Sequence, residues 1–576
     1  MSKRDRTFSV SAGLLRLGDA LRFAPEEDRF VPEKEPRSYR LIPPEKLLVL
    51  KNALARMREQ SLFLSLAGDF ARGMLLTRFR SFATLFFTSG LIQTVSYFIG
   101  SYFPLLSGTQ DNLVVGLVLI ILGLVCAFER AAFGVVLKQS ALFRHVIHPL
   151  FGVSEWEIPE GRNREHLWWM LASGAALGVL SVIASPYRVI LWITFAVAVC
   201  VTLYKPEAGL AFAALFFPFL PPVAEIGLIL LIHLSLIMKI AVGKRSLSRS
   251  PADLFVLILI AVILIRGGAA GVIYAVVLSV YFLGINLCRT AVWLRRIVIA
   301  LALSVGISAL AALTVKAFGR FAPEALRYVP GAEVLLSALT GREHTALAVI
   351  LLPAIFCLAG AGKQTRTRLL GILILPLAAL VLAASHDPGL WLGAAVGLVL
   401  ALSLSRRWGL LFCIFSGLGA YTGWVFLPDG LRLRLTTFLG VNDLALAEWA
   451  KRLTDGRALL KEALPWGLGK GTSRLAPEGI GVYDLAGVFG GYIVLAAMAA
   501  AVIWFFVRCA RFSACGGIGD VHPLVLGAMA GVLVWLVCGL TSPMTSPEAL
   551  FPVALFLSFP KAAQDACRRE EYRQPY

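Results

Sequence analysis

Between Pro428 and Gly481 the chain carries eight basic side chains, Arg432, Arg434, Lys451, Arg452, Arg457, Lys461, Lys470 and Arg474, in a polar stretch that interrupts an otherwise almost continuously apolar sequence. Planar guanidinium forks bind phosphate oxygens two at a time, so this composition suits recognition of an anion, with a lipid-linked diphosphate as guest. Asn442 predicts the cap of a helix over Asp443–Leu453, the turn Thr454-Asp455-Gly456 ends it, and Asp455 opens a second short helix over Gly456–Leu464 that Pro465 terminates. Arg457 then lies in a first helical turn, beside backbone N–H groups that lack an intrahelical partner, and the two positive fields add. The same residues also suit contact with lipid phosphates by a surface-lying amphipathic loop, with Trp449 and Trp466 as interfacial anchors. Six acidic residues in the loop temper both readings.

The elements around this stretch are membrane helices. Of 576 residues, 58% are hydrophobic and only 15% charged, far from the composition of a soluble globular chain. About sixteen runs of roughly 17 to 25 apolar residues recur between Ser81 and Pro560, the length a helix needs to cross about 30 Å of hydrocarbon. Their expected bounds are Phe82–Phe103, Leu113–Phe133, Leu167–Ala184, Val189–Tyr204, Ala208–Leu220, Val223–Val242, Ala252–Ile265, Gly271–Cys288, Ile297–Ala317, Thr345–Ala361, Leu369–Ala384, Gly389–Leu404, Trp408–Leu427, Tyr483–Val507, Pro523–Leu540 and Pro547–Phe559. The fifth, seventh and last are short, so the expected fold class is an all-α polytopic membrane bundle of about 14 to 16 spans. The segments are continuously apolar and do not alternate, which excludes a closed β-barrel.

Basic residues give the bundle an expected direction. Every second loop is rich in Lys and Arg, as in Lys244-Arg245, Arg295-Arg296, Arg406-Arg407 and Arg508 to Arg511, while turns such as Pro221-Pro222 and His386-Asp387-Pro388 carry none. By the positive-inside rule both termini lie in the cytoplasm, and the polar stretch at 428–481, like a second long loop at 318–343, faces outward across the cytoplasmic membrane. Eight basic residues on the outer side run against that bias and call for a reason.

Residues 1–80 form a basic amphipathic cytoplasmic region without a signal peptide, with a membrane-surface helix expected over Leu47–Phe79. Additional membrane helices with a cytoplasmic loop at 134–166 occupy 81–204, the main core 205–560, and a cytoplasmic tail 561–576. The net charge of +19 is dispersed over short loops, which reads as attraction to anionic membrane lipids and excludes a nucleic-acid-binding face. All nine cysteines fall in spans or on the inner side, so no disulfide outside the membrane is expected, and no spacing suits a metal. His233 falls mid-span, where an inter-helix hydrogen bond is its expected use.

Several segments resemble the O-antigen ligase and Wzy-type polymerase superfamily. In GRALLKEALPWGLGKGT, Gly456 and Arg457 precede a helix that leads into a Pro-x-Gly-x-Gly turn made by Pro465, Gly467 and Gly469. KPEAGLAFAALFFPFLPPVAEIGLILLIHL resembles that family's opening helices, SPADL at Ser250–Leu254 the start of its next span, and VFGGYIVLAAMAA the glycine-rich helix after its large loop. The resemblance covers roughly the C-terminal two-thirds. It implies transfer of a glycan from a polyprenyl-diphosphate carrier to a glycan or lipid acceptor hydroxyl, without metal or cofactor, with arginines stabilising the leaving diphosphate and a base taking the proton.

On this chain the phosphate role falls to Arg432, Arg434, Arg452 and Arg457, and the base to His386, Asp387, His344 or Asp484. His386 beside Asp387 can be oriented by that carboxylate, or the pair can be a polar turn between two spans. The chain departs from the family twice: Ser385-His386-Asp387-Pro388-Gly389 stands where a Ser-Arg-Gly is usual, and no histidine follows the large loop before His522. A transporter of lipid-linked saccharides and a catalytically inactive relative therefore stay open beside the enzyme.

Overall fold

The computed structural model describes residues 73–99, 108–141, 143–153, 158, 167–220, 222–241, 247–321, 342–361, 365–385, 387–405, 409–438, 447, 450–451, 454–455, 457–458, 461, 466–467, 481–514, 521–541 and 544–571. Its helices are α1 Phe79–Ile99, α2 Gln110–Ala127, α3 Phe133–Gln139, α4 His148–Phe151, α5 Leu167–Ala184, α6 Pro186–Tyr204, α7 Pro206–Phe216, α8 Pro222–Ala241, α9 Ala252–Arg266 and α10 Gly268–Leu278. They continue as α11 Val280–Leu287, α12 Ala291–Phe321, α13 Arg342–Ala361, α14 Thr365–Ser385, α15 Pro388–Ser405, α16 Gly409–Phe426, α17 Asp429–Phe438, α18 Val482–Ala514, α19 Val521–Thr541 and α20 Pro547–Glu571. Five of them, α6, α7, α8, α15 and α20, open on a proline, whose fixed φ suits the first helical position and whose missing N–H costs nothing there.

The architecture is an all-α polytopic membrane bundle; among the described residues each expected span contains a helix, and the second ends at Ala127, short of the expected Phe133. Among the described residues eleven helices are long and apolar enough to cross a membrane: α1, α2, α5, α6, α8, α12, α14, α15, α16, α18 and α19. Several of the remaining elements sit inside protein, where the length that hydrocarbon demands no longer applies. In α7 the residues Ala208, Leu210 and Ala211 are fully buried, as are Ile350 in α13 and Ala554, Leu555 and Phe556 in α20. The expected eighth span is two helices, α10 and α11, parted at Ser279, and α20 runs past the expected end of its span, burying Ala562, Ala563 and Ala566.

Small residues let the central backbones touch. A Cβ on Gly527 of α19 would lie 2.7 Å from the Ala354 Cα of α13, and one on Gly531 would lie 2.7 Å from the Ile350 carbonyl oxygen. Since lipid tails are as apolar as leucine, such close van der Waals packing drives helix association in a membrane. In the N-terminal layer α1 lies between α2 and α5 by the same device: Gly90 meets the Gly116 carbonyl and Gly174 the Leu85 carbonyl. This layer joins the main core through α6, which packs on α7 and α8.

The bundle has two ends, the loop face, where residues 428–481 leave α16 and re-enter α18, and the opposite face. At the opposite face a polar network ties three elements: Ser248 Oγ donates to Asp565 Oδ2 at 2.9 Å, the Ser248 N–H donates to Asn286 Oδ1 at 2.8 Å, and Tyr281 Oη donates to Asp253 Oδ1 at 3.0 Å.

Candidate functional site

At the loop face the starts of α15 and α18 flank the end of α19. Asp387 caps α15, its Oδ1 accepting the Gly389 N–H at 2.9 Å. The Gly389 carbonyl accepts the Cys538 thiol at 3.6 Å, which draws α15 against the last turn of α19. On the other flank Tyr483 Oη donates to the Leu536 carbonyl at 2.9 Å, and a Cβ on Gly481 would stand 2.8 Å from the Gly539 carbonyl oxygen. Asp484 sits partly buried in the first turn of α18, where its carboxylate accepts the Gly481 N–H at the mouth of the bundle, and Arg457 of the loop is exposed.

A second feature lies one turn deeper. α18 is broken at Gly490 (φ −150°, ψ 19°) and Gly491 (φ 61°, ψ −144°), so the first turns and the long remainder are separate helical pieces. The backbone at Gly491 is open only to glycine. Gly467 of the loop lands on this break with φ +81°: a Cβ there would lie 2.8 Å from the Gly490 nitrogen, 2.8 Å from the Val488 carbonyl oxygen and 2.9 Å from the Phe489 carbonyl carbon. Arg266, the last residue of α9, donates from Nη2 to the Gly467 carbonyl at 2.9 Å. Phe489 packs edge-on to Tyr274, with ring centroids 5.7 Å apart. Glycine at 467, 490 and 491 is what allows a loop backbone to rest on a transmembrane backbone.

The residues expected from sequence fall in different places. Asp387 and Asp484 both reach the loop face, with Asp387 serving as a helix cap. Arg432 is engaged by its own neighbourhood: its Nη2 donates to the carbonyls of Trp424 at 3.2 Å, Val425 at 3.2 Å and Leu427 at 3.4 Å, and its Nη1 lies 3.4 Å from Asp429. α17 folds back so that this guanidinium satisfies the last carbonyls of α16, which a helix end leaves open. Arg434 and Arg457 are exposed. Of the expected turn Thr454-Asp455-Gly456, Thr454 and Asp455 are helical and the Thr454 hydroxyl donates to the Lys451 carbonyl at 2.7 Å, while Gly456 lies outside the described residues. His386, Arg452, Gly456, Pro465 and Gly469 lie outside the described residues, as does the side chain of His344, whose backbone opens α13.

Arg266 reads from the sequence only as a charge near a span end, and the structure gives it a partner in the loop. Its signal was present: a lone arginine at the loop-face end of a short span, followed by Gly267-Gly268. No family model, curated protein or solved structure matches the chain. The fold and site define a polytopic helical membrane protein with a polar mouth at one end.

Proposed function

We propose that this chain is a membrane glycosyltransferase-like protein of cell-surface polysaccharide assembly, which transfers or polymerises glycan from a polyprenyl-diphosphate carrier at the outer face of the cytoplasmic membrane. The loop face is then the outer face and both termini are cytoplasmic. The observation that carries the reading is Asp484: a partly buried carboxylate held at a helix start, at the mouth of the bundle, where the arginine-bearing loop returns to the membrane helices.

In this reading the acceptor hydroxyl oxygen attacks the anomeric carbon of the lipid-linked sugar, and the bond from that carbon to the diphosphate oxygen breaks. Asp484 accepts the hydroxyl proton, and the polyprenyl diphosphate leaves with its new negative charge against Arg457 and Arg434. Donors preorganised where charge develops supply much of the stabilisation in such a step. Asp484 replaces the histidine that the resembling family places after its loop, and Arg432, engaged at the end of α16, leaves the phosphate set.

The test is Arg457→Ala in cells, followed by the amount of polyprenyl-diphosphate-linked glycan. The reading expects the lipid-linked glycan to accumulate in a form open to an added external glycosidase, with the protein still in the membrane. Accumulation protected from that glycosidase identifies a flippase instead, and unchanged surface glycan with no accumulation removes the enzymatic reading.

A further inference from the structure

Arg266 ends α9, and the helix does not need it as a cap. The Gly267 N–H already closes the last turn on the Ile263 carbonyl at 2.8 Å. The guanidinium reaches instead across 201 residues of sequence to the backbone of Gly467. Three surfaces then interlock without room for side chains. A Cβ on Gly467 would meet the backbone of 488–490, and one on Gly267 would lie 3.0 Å from the Phe489 ring. A Cβ on Gly490 would come 2.5 Å from Val262 of α9. The loop backbone is thereby fastened, at Gly467, to the same helix that carries Asp484.

We infer that Arg266 is a positioning residue for the proposed transfer, a pin that holds the Gly467 turn on the Gly490–Gly491 break and so steadies the start of α18, which carries Asp484. Neither Arg266 nor Gly467 touches the reacting atoms in this account. The bond is made to a backbone carbonyl, so any donor of similar reach sustains it, and lysine at 266 is the conservative replacement. A misplacement of about 1 Å in a catalytic arrangement is enough to cost on the order of a hundredfold in rate. The role in turnover rests on the transferase reading, whereas the pin itself does not.

Two measurements on the full-length chain in lipid vesicles separate them. Backbone hydrogen exchange is followed for Arg266→Gln and Arg266→Lys at residues 466–467 and 488–494, with the centre of α19 as internal reference. The pin predicts at least tenfold faster exchange at both stretches in Arg266→Gln, an unchanged reference, and Arg266→Lys within about threefold of the parent. Parent-like exchange in Arg266→Gln overturns it. Should Arg266→Gln fail to reach the membrane, Gly467→Ala takes its place, with the same acceleration expected at 488–494 and parent-like exchange overturning the pin.

Transfer from a polyprenyl-diphosphate glycan is measured on the same samples. The positioning role expects about a tenfold to hundredfold loss in Arg266→Gln and recovery to within about threefold in Arg266→Lys. Full activity in Arg266→Gln overturns it. Faster exchange in Arg266→Gln, with no transfer in any sample including the parent, leaves the pin standing and removes the transferase reading; parent activity with unchanged exchange does the reverse.

Discussion

α16 and α19 are two apolar helices of similar length, yet 72% of the span of α19 is buried inside the protein against 6% of that of α16. The difference lies in how each helix uses its glycines. In α19, Gly527, Gly531 and Gly539 are points where another backbone or side chain comes closer than a Cβ would allow, whereas Gly417, Gly419 and Gly423 of α16 face open space. α16 packs chiefly on α15 and offers its flanks to lipid. The loop at 428–481 therefore has unequal ends. It leaves from a peripheral helix and returns to α18, which is packed on α9 and bound to the end of α19. The proposed base and the glycine break belong to the returning end, while the leaving end carries the exposed Arg434 and the Arg432 helix cap.

Substitutions that act unequally on the two ends can break or sharpen this contrast. The largest effect is expected for Asp484→Ala, which removes the proposed base and also the α18 cap: transfer should fall about 10²- to 10⁴-fold and stability by about 1 kcal/mol, read as turnover in vesicles and as thermal unfolding in detergent. Next is Gly531→Val in α19, which drives a branched side chain into the Ile350 carbonyl and the Phe556 ring. A loss of about 3 kcal/mol is expected, visible as a collapse of the monodisperse elution peak. Gly491→Ala should cost about 1 to 3 kcal/mol, because its backbone lies where only glycine rests without strain.

At the leaving end the effects shrink. Arg432→Ala frees the last carbonyls of α16, for which about 1 kcal/mol of thermal stability is expected, with transfer kept within about threefold of the parent. A hundredfold loss of transfer in Arg432→Ala would return that residue to the phosphate set. Gly419→Ala should be the mildest: a methyl there meets nothing within 4 Å and removes a helix-weakening glycine, so stability should stay level or rise by up to about 1 kcal/mol.

The helices themselves were legible in the sequence because hydropathy is a local sum. A run of apolar residues long enough to span a bilayer declares itself whatever it packs against. What each helix packs against was not legible, as α16 and α19 show, because burial depends on partners far away in the chain. Thr454-Asp455-Gly456 reads as a turn because Thr and Asp compete for backbone hydrogen bonds, and such a side chain can equally well serve a helix, as the Thr454 hydroxyl does in donating to the Lys451 carbonyl.

Arg432 was recognised as a cation without its use, because a cap of this kind depends on the angle at which α17 leaves α16. The glycine-rich start of α18 was visible as composition, while its break and its pairing with Gly467 and Arg266 were not, since a single sequence holds no record of which distant residues meet. Asp484 was visible as one of four possible bases and acquires its weight from its place, partly buried in the first turn of α18 beside the end of α19.

The most direct test of the central claim is the rate of glycan transfer from a polyprenyl-diphosphate donor by the full-length chain in vesicles, parent against Asp484→Asn. Asparagine keeps the shape and can still cap α18, so thermal stability should match the parent within about 0.5 kcal/mol. The account predicts that transfer falls at least about a hundredfold while the folded protein persists. Parent-like transfer by Asp484→Asn would contradict it.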